Sequence, residues 1–295
     1  MPESGKENDY LAGNGGPPRV GYDEDMTRSN LGQQLREWRT RRRRSQLDLA
    51  LDCGISSRHL SFIETGRARP SPQTLLRIAE TLEVPPRAQN ALLMSGGYAP
   101  RYPETPFDAE AMAPVRDAVG RLLEAYSPFP ALAVDRLWNV VAANAPLMSL
   151  LSGVPAELLS PAPNALRLAM HPEGIAPRIA NFGEWSGHLM HRLERQIELT
   201  ADPELEALRE EMLGYLERRP AQRREPQPHE LAVPLQLDLP EGRLSLLSTM
   251  TVFGSPVDVT LSELAIEAFF PADEASAEIL QGVAGGGKEP SSKLR

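Results

Sequence analysis

Two folded units of different class are predicted: an all-α unit of five short helices over residues 29–97, and an α+β unit over residues 109–281. Three observations carry this. Between Leu31 and Gly97 apolar residues recur at three-to-four spacing, punctuated by Ser and Gly where helices would start and stop. From Ala131 onward, runs of strand-like alternation flank two long helical stretches. The charge divides in the same place, with +5 over residues 31–99, −3 over residues 1–30 and −11 over the remainder of a chain whose net charge is −9.

In the first unit Leu31, Leu35 and Trp38 share one helical face, with Arg36, Arg39 and Arg41–Arg44 around it. Ser45 offers an N-cap, with Asp48 three residues on, and Leu49, Ala50 and Cys53 form the inner face of a second helix that Gly54 ends. Ser56 caps a third helix, whose Leu60 and Ile63 point inward until Gly66. Ser71 and Pro72 start a fourth, with Leu75, Ile78, Ala79 and Leu82 at i, i+3, i+4 and i+7. Pro85-Pro86 opens a fifth that closes near Gly96-Gly97.

Pro100, Pro103 and Pro106 mark residues 98–108 as an extended linker. Beyond it, Val115–Tyr126 is expected to be helical, Ala131–Val134 and Leu137–Ala142 to be strands around a turn at Asp135-Arg136, and Asn144 to cap a helix through Leu151. Helices are expected over Pro177–Glu198 and Pro203–Arg218, then strands over Leu231–Leu239, Arg243–Phe253 and Leu261–Phe270, the first two joined through Pro240-Glu241-Gly242. Residues 1–28, containing Gly15-Gly16-Pro17-Pro18, and residues 282–295, containing Gly285-Gly286-Gly287, are expected to be disordered tails.

Several classes are excluded. No run of about 18 apolar residues exists, so no membrane span is expected. Met1–Gly16 lacks the apolar core of a secretory signal. The single cysteine, Cys53, permits no intrachain disulfide and fits a cytoplasmic protein, with Cys53 as a small buried hydrophobe. No nucleophile elbow, phosphate-cradling Gly loop or catalytic Cys is present, so no enzyme, catalytic residue or cofactor is expected.

A helix, a tight turn with Gly and a second short helix make up the helix-turn-helix arrangement, whose second helix fits the DNA major groove. Gln46 opens the first of these helices, Ala50 sits where the two must cross closely, Gly54 makes the turn, Ile55 plugs it, and polar Ser56-Ser57-Arg58-His59 follows. The stretch S-Q-L-D-L-A-L-D-C-G-I-S-S-R-H-L-S-F-I-E-T-G-R-A-R-P-S-P-Q-T-L-L-R-I-A-E-T-L, about a quarter of the chain, resembles the Xre family of phage-repressor-like regulators. The resemblance implies binding to double-stranded DNA, and because one small module contributes too little affinity and specificity a dimer on a palindromic operator is expected. It implies phosphate contacts from Gln46 and Ser56, base-edge contacts around Ser57, Arg58, His59, Ser61 and Phe62, and backbone contacts from Arg67 and Arg69. It also implies an ion pair between Arg39 and Glu64. Arg44 departs from the pattern, standing where the family carries an apolar residue.

The second unit resembles the C-terminal domain of MmyB-like regulators, a PAS-like ligand-binding fold. The resemblance rests on S-P-F-P-A-L-A-V-D-R-L-W-N-V-V-A-A-N, on N-A-L-R-L-A-M-H-P-E-G and on the last strand run. It implies a small apolar, fatty-acid-like ligand between sheet and helices. The residues themselves supply an apolar lining from Trp138, Val140, Met148, Leu166, Met170, Trp185, Leu189, Leu246 and Met250. Arg167, His171 and Arg178 are candidates to anchor a carboxylate head group.

Two rival readings remain open at this point. The helical unit could serve as an antitoxin-like protein adaptor. Alternatively, the second unit could be a metal-dependent enzyme using Glu184, His188 and His191, which fall at i, i+4 and i+7 of one helix.

Overall fold

In the computed structural model, residues 24–218, 232–254 and 256–285 are described. They form two compact units, one of residues up to Leu82 together with Leu92–Tyr98, the other of Glu83–Ala91 together with the residues from Ala99 on. In the first, α1 (Glu24–Arg41), α2 (Gln46–Asp52), α3 (Ser57–Glu64) and α4 (Pro72–Thr81) pack with the end of α5 (Pro86–Ser95). The caps are those the sequence announces. The Ser45, Ser56 and Ser71 hydroxyls accept from the backbone N–H of Asp48, His59 and Thr74, each at 3.1 Å. Each such cap stabilises its helix by about 1 kcal/mol. Gly54 and Gly66 take the left-handed conformation, at φ 62° and 72°, that ends α2 and α3.

One close contact escaped the sequence reading. A Cβ on Gly32 would lie 2.5 Å from the Glu64 carbonyl oxygen and 2.7 Å from that of Ile63. Only glycine therefore lets α1 cross α3 at this depth. Helix α1 also starts at Glu24, so residues 24–28 are helical where a tail was expected. Residues 1–23 of that expected tail lie outside the described residues.

The expected boundary at residues 97–98 differs from the observed division. The Arg87 guanidinium donates to the Glu263 carboxylate at 2.9–3.2 Å. Asn90 donates to the Tyr102 carbonyl at 2.8 Å and accepts from the Arg101 N–H at 2.9 Å. These polar ties bring Glu83–Ala91 into the second unit and hold the proline-rich linker in place.

The second unit continues, after a short 3₁₀ turn at Glu110–Met112, with α6 (Ala113–Ala125), β1 (Ala131–Val134), β2 (Val140–Ala143), α7 (Ala145–Leu150), α8 (Ala156–Leu159) and α9 (Ala165–Met170). A second 3₁₀ turn, Ala176–Arg178, leads to α10 (Phe182–Thr200) and α11 (Pro203–Arg218). Then come β3 (Leu235–Leu239), β4 (Gly242–Val252), α12 (Val259–Ser262), β5 (Ala265–Pro271) and α13 (Glu274–Gly285). The sheet is antiparallel in the order β2-β1-β5-β4-β3.

Its central strand β5 is buried on both faces. Ala265 and Phe269 join Leu132, Leu244, Leu246 and the helices α9–α11 in the larger core. Ile266 and Ala268 join Val119 and Leu123 of α6 in the smaller one. Alternation therefore sends Glu267 to the larger core, opposite Leu132 on β1 and Met250 on β4.

Several expected bounds shift for local reasons. β2 starts at Val140 rather than Leu137, because Asp135 Oδ1 accepts from the N–H of Leu137 and Asn139, at 2.8 and 2.9 Å, and folds residues 135–139 into a turn. The expected helix from Pro177 breaks at Ile179, which bridges to Leu237, and resumes at Phe182. The first part of the expected last strand is the short α12, capped by Asp258. The expected tail from residue 282 begins as the end of α13, and residues 286–295 lie outside the described residues.

Candidate functional site

The first candidate surface is the N-terminal turn of α3. Ser56, Ser57 and Arg58 are exposed there, with His59, Ser61 and Phe62 half-buried behind them. The Arg58 guanidinium lies 5.3 Å above the Phe62 ring. Among the described residues it has no ion pair, so its planar fork remains available while the ring restricts its rotamers.

Beneath this surface Arg39 and Glu64 form a two-pronged pair, Nε to Oε1 at 2.7 Å and Nη2 to Oε2 at 3.0 Å. Gln46 donates to the same Oε2 at 2.8 Å, and Arg39 Nη1 donates to the Arg44 carbonyl at 2.9 Å. The Glu64 side chain is 2% exposed and that of Arg39 14%. The hydrogen bond that Arg39 donates to Glu64, opposed by burial, raises the Arg39 pKa. This cluster joins α1, α3 and the start of α2, so Gln46 is held at its amide nitrogen.

The other cations divide between exposed and structural. Arg67 is exposed. Arg69 donates to the Gly96 carbonyl at 2.7 Å and stacks 5.1 Å from the Tyr98 ring, so it clasps the fold. Arg44 pairs with Asp52. Arg42 donates to the Leu82 carbonyl at 2.9 Å and covers the Trp38 ring. The arginine run is thus partly a structural belt. Cys53 is fully buried, and desolvation raises its pKa.

The second candidate site is an apolar cavity of about 80 Å³ between the sheet and helices α7, α9 and α10. Of the residues expected to line it, Trp138, Val140, Leu166, Trp185, Leu189 and Leu246 do so. Six others do not. Met148 and Met250 are 50% and 51% exposed, and Met170, although buried, is not among the lining residues. Arg167 is occupied by Glu211, at 2.8 and 2.9 Å, in a pair that lowers the Glu211 pKa. Tyr215 donates to Glu211 at 2.7 Å, and burial followed by that bond pushes the phenol up to about 12. His171 accepts from the Glu173 N–H and packs edge-on to Tyr215. Arg178 is half-buried, burial lowers its pKa, and it does not reach the cavity. The three expected carboxylate anchors therefore lie elsewhere on the unit.

The ionisable side chain that does line the cavity is Glu267, which the sequence reading missed. Its signal was present as a lone acid in the run A-I-E-A-F-F, where both strand faces are apolar. Glu267 is 4% exposed and accepts from Arg192 Nη1 at 2.8 Å. Arg192 lies 4.7 Å over the Trp138 ring and also touches Met250 Sδ. Trp138 in turn donates to Gln196 Oε1 at 2.8 Å.

Trp185, Leu189 and Arg192 thus make the inward face of α10, while Glu184 and His188 are half-buried and His191 exposed. Burial, then the Arg192 charge, lowers the His188 pKa. Among the described residues no cluster of His, Cys, Asp and Glu has an arrangement that could hold a metal ion, and no helix is long and apolar enough to cross a membrane.

Comparison with known proteins bears on both sites. Residues 115–282 match the MmyB-like transcription regulator ligand binding domain, and residues 35–89 match a helix-turn-helix family. A Bacillus subtilis (strain 168) relative, the uncharacterized HTH-type transcriptional regulator RghRB, is 40% identical over 77 residues, which are 26% of this chain and 53% of that protein. The chain therefore spans about half the length of the curated relative it matches. The crystal structure of the clp gene regulator ClgR from Corynebacterium glutamicum is 23% identical, over 36% of this chain and 98% of that one, with a TM-score of 0.22.

Proposed function

Because the chain belongs to the MmyB-like transcription regulators, with a helix-turn-helix unit ahead of that family's ligand-binding domain, we propose that it binds a palindromic operator as a homodimer and senses a small apolar, fatty-acid-like molecule in its second unit. The observation that carries the DNA reading is the exposed first turn of α3, where Arg58 is stacked but unpaired among the described residues. Arg58 is the base reader, forking onto guanine O6 and N7. Ser57, His59, Ser61 and Phe62 line the same base-facing surface. Ser56 and Gln46 meet phosphates at helix N-termini, where free N–H groups favour anions. Arg67 grips the backbone. Arg69 contributes to that grip only through the charge that remains beyond its clasp on Gly96.

One module of this size offers little area and few base contacts, and two-fold pairing doubles both. The ligand reading rests on the apolar cavity. An apolar cavity of about 150 Å³ accepts a benzene ring. The space of about 80 Å³ here holds a few carbon groups, and a longer chain requires α9 and α10 to draw back from the sheet. Such a ligand shifts operator binding only to the extent that it prefers one arrangement of the dimer.

Two variants test the DNA reading by titration of duplexes at several salt concentrations. Arg58→Ala is expected to cost about 1–3 kcal/mol on the preferred operator and to flatten base preference at one position. Arg67→Ala is expected to weaken all sequences alike and to lower the slope of log K against log salt by about 1. Wild-type affinity and preference in both variants would remove α3 from the role. Equal affinity for duplexes with one and with two half-sites would remove the dimer.

A further inference from the structure

The cavity carries one feature that an apolar ligand alone does not explain. Glu267 is a carboxylate placed by strand alternation on the inner face of β5, 4% exposed, among cavity-lining residues that otherwise carry no charge. Its Oε1 accepts from Arg192. Among the described residues no group donates to Oε2. That oxygen is not fully enclosed and lies at the wall of the cavity. A ligand that fills the cavity takes it out of contact with water, which is unfavourable unless the ligand donates a hydrogen bond to it.

The charge balance narrows what that donor is. Arg192 and Glu267 together are neutral. The other titratable groups near them are His188, half-buried beside Trp185, and exposed His191. An anionic head group would place two carboxylates on one guanidinium, and a cationic one would leave an unmatched charge in an apolar space. We propose that the ligand of this cavity is an apolar molecule ending in a neutral hydroxyl that donates to Glu267, rather than an ionised fatty acid. This rests on the apolar-ligand reading above and specifies its polar end. Arg192 is then a positioning residue. Its contacts with Trp138 and Met250 hold the Glu267 carboxylate at the cavity wall and leave one oxygen free.

The test uses the full-length protein at pH 8 and three six-carbon probes of similar size: 1-hexanol, hexanoate and methyl pentanoate. The readouts are the fluorescence of Trp138 and Trp185, which line the cavity, and the shift in melting temperature. The expected result is that 1-hexanol binds at least tenfold more tightly than either hexanoate or the ester. Hexanoate equal to or tighter than 1-hexanol would overturn the hydroxyl assignment. So would an ester as tight as the alcohol, and in both cases the apolar-ligand reading stands. Failure of all three probes up to their solubility limits would overturn both.

A double variant, Glu267→Leu with Arg192→Leu, keeps the charge balanced. It is expected to retain ester binding and to lose the alcohol's advantage. An undiminished advantage in a variant that melts cooperatively would also overturn the assignment.

Discussion

Among the described residues each unit buries an arginine–glutamate pair, and the two are built differently. At Arg39–Glu64 both carboxylate oxygens are engaged, one of them twice, and Arg39 also reaches the Arg44 carbonyl. At Arg192–Glu267 one oxygen is engaged, and the guanidinium turns its face to Trp138. The first pair is closed and joins three helices. The second is open and lines a cavity. A closed pair belongs where geometry must not vary, as beneath the surface proposed to read base edges. An open pair belongs where something else completes it.

The largest expected effect tests the closed pair. Glu64→Ala leaves Arg39 buried without its counter-charge and removes the anchor of Gln46. It is expected to cost about 3–5 kcal/mol in urea unfolding of the first unit. Glu267→Leu with Arg192→Leu, by contrast, is expected to change the stability of the second unit by less than about 1 kcal/mol, since an open pair exchanged for apolar side chains is close to neutral. Equal losses in the two experiments would erase the distinction.

A smaller effect is expected from Gly32→Ala. Its Cβ would meet the Glu64 backbone at 2.5 Å, so α1 must lift from α3 at the closed pair itself. A loss of about 1–3 kcal/mol is expected from over-packing, and a neutral result would mean the crossing is loose.

The smallest effect concerns His188, beside the open pair. Burial, and then Arg192, holds its imidazole pKa below the usual 6.5. The unfolded chain therefore takes up this proton at a higher pH than the folded one does. The stability His188 carries is present above pH 6.5 and is lost as pH falls from there to the folded pKa. His188→Gln is expected to flatten the fall in melting temperature between pH 7 and pH 5, and an unchanged profile would separate His188 from the pair.

The two units were unequally legible in the sequence. Helices α2, α3 and α4 could be placed to within a residue or two because their starts and stops are local chemistry, a serine hydroxyl on a nearby N–H and a glycine at positive φ. The Arg39–Glu64 pair was legible only through resemblance, since 25 residues separate its partners. In the second unit the central strand and the cap at Asn144 follow from short-range pattern. The site does not. Met148 and Met250 fit an apolar period yet face solvent, while Arg167 found Glu211 across 44 residues. Glu267 was overlooked because an acid in a strand reads as an exposed position unless both faces are known to be covered.

That covering has a consequence for how the sheet assembles. Residues 265–271 are apolar on both sides of Glu267, so hydrophobicity alone does not choose between two pairings of β5 with β1 and β4 that differ by a single residue. The carboxylate does choose. Slipped by one position, it would leave Arg192 and enter the apolar cluster of Val119, Leu123 and Leu264. One acid residue thus marks the alignment of three strands, and the group that gives the cavity its polar corner also makes misalignment during folding unfavourable.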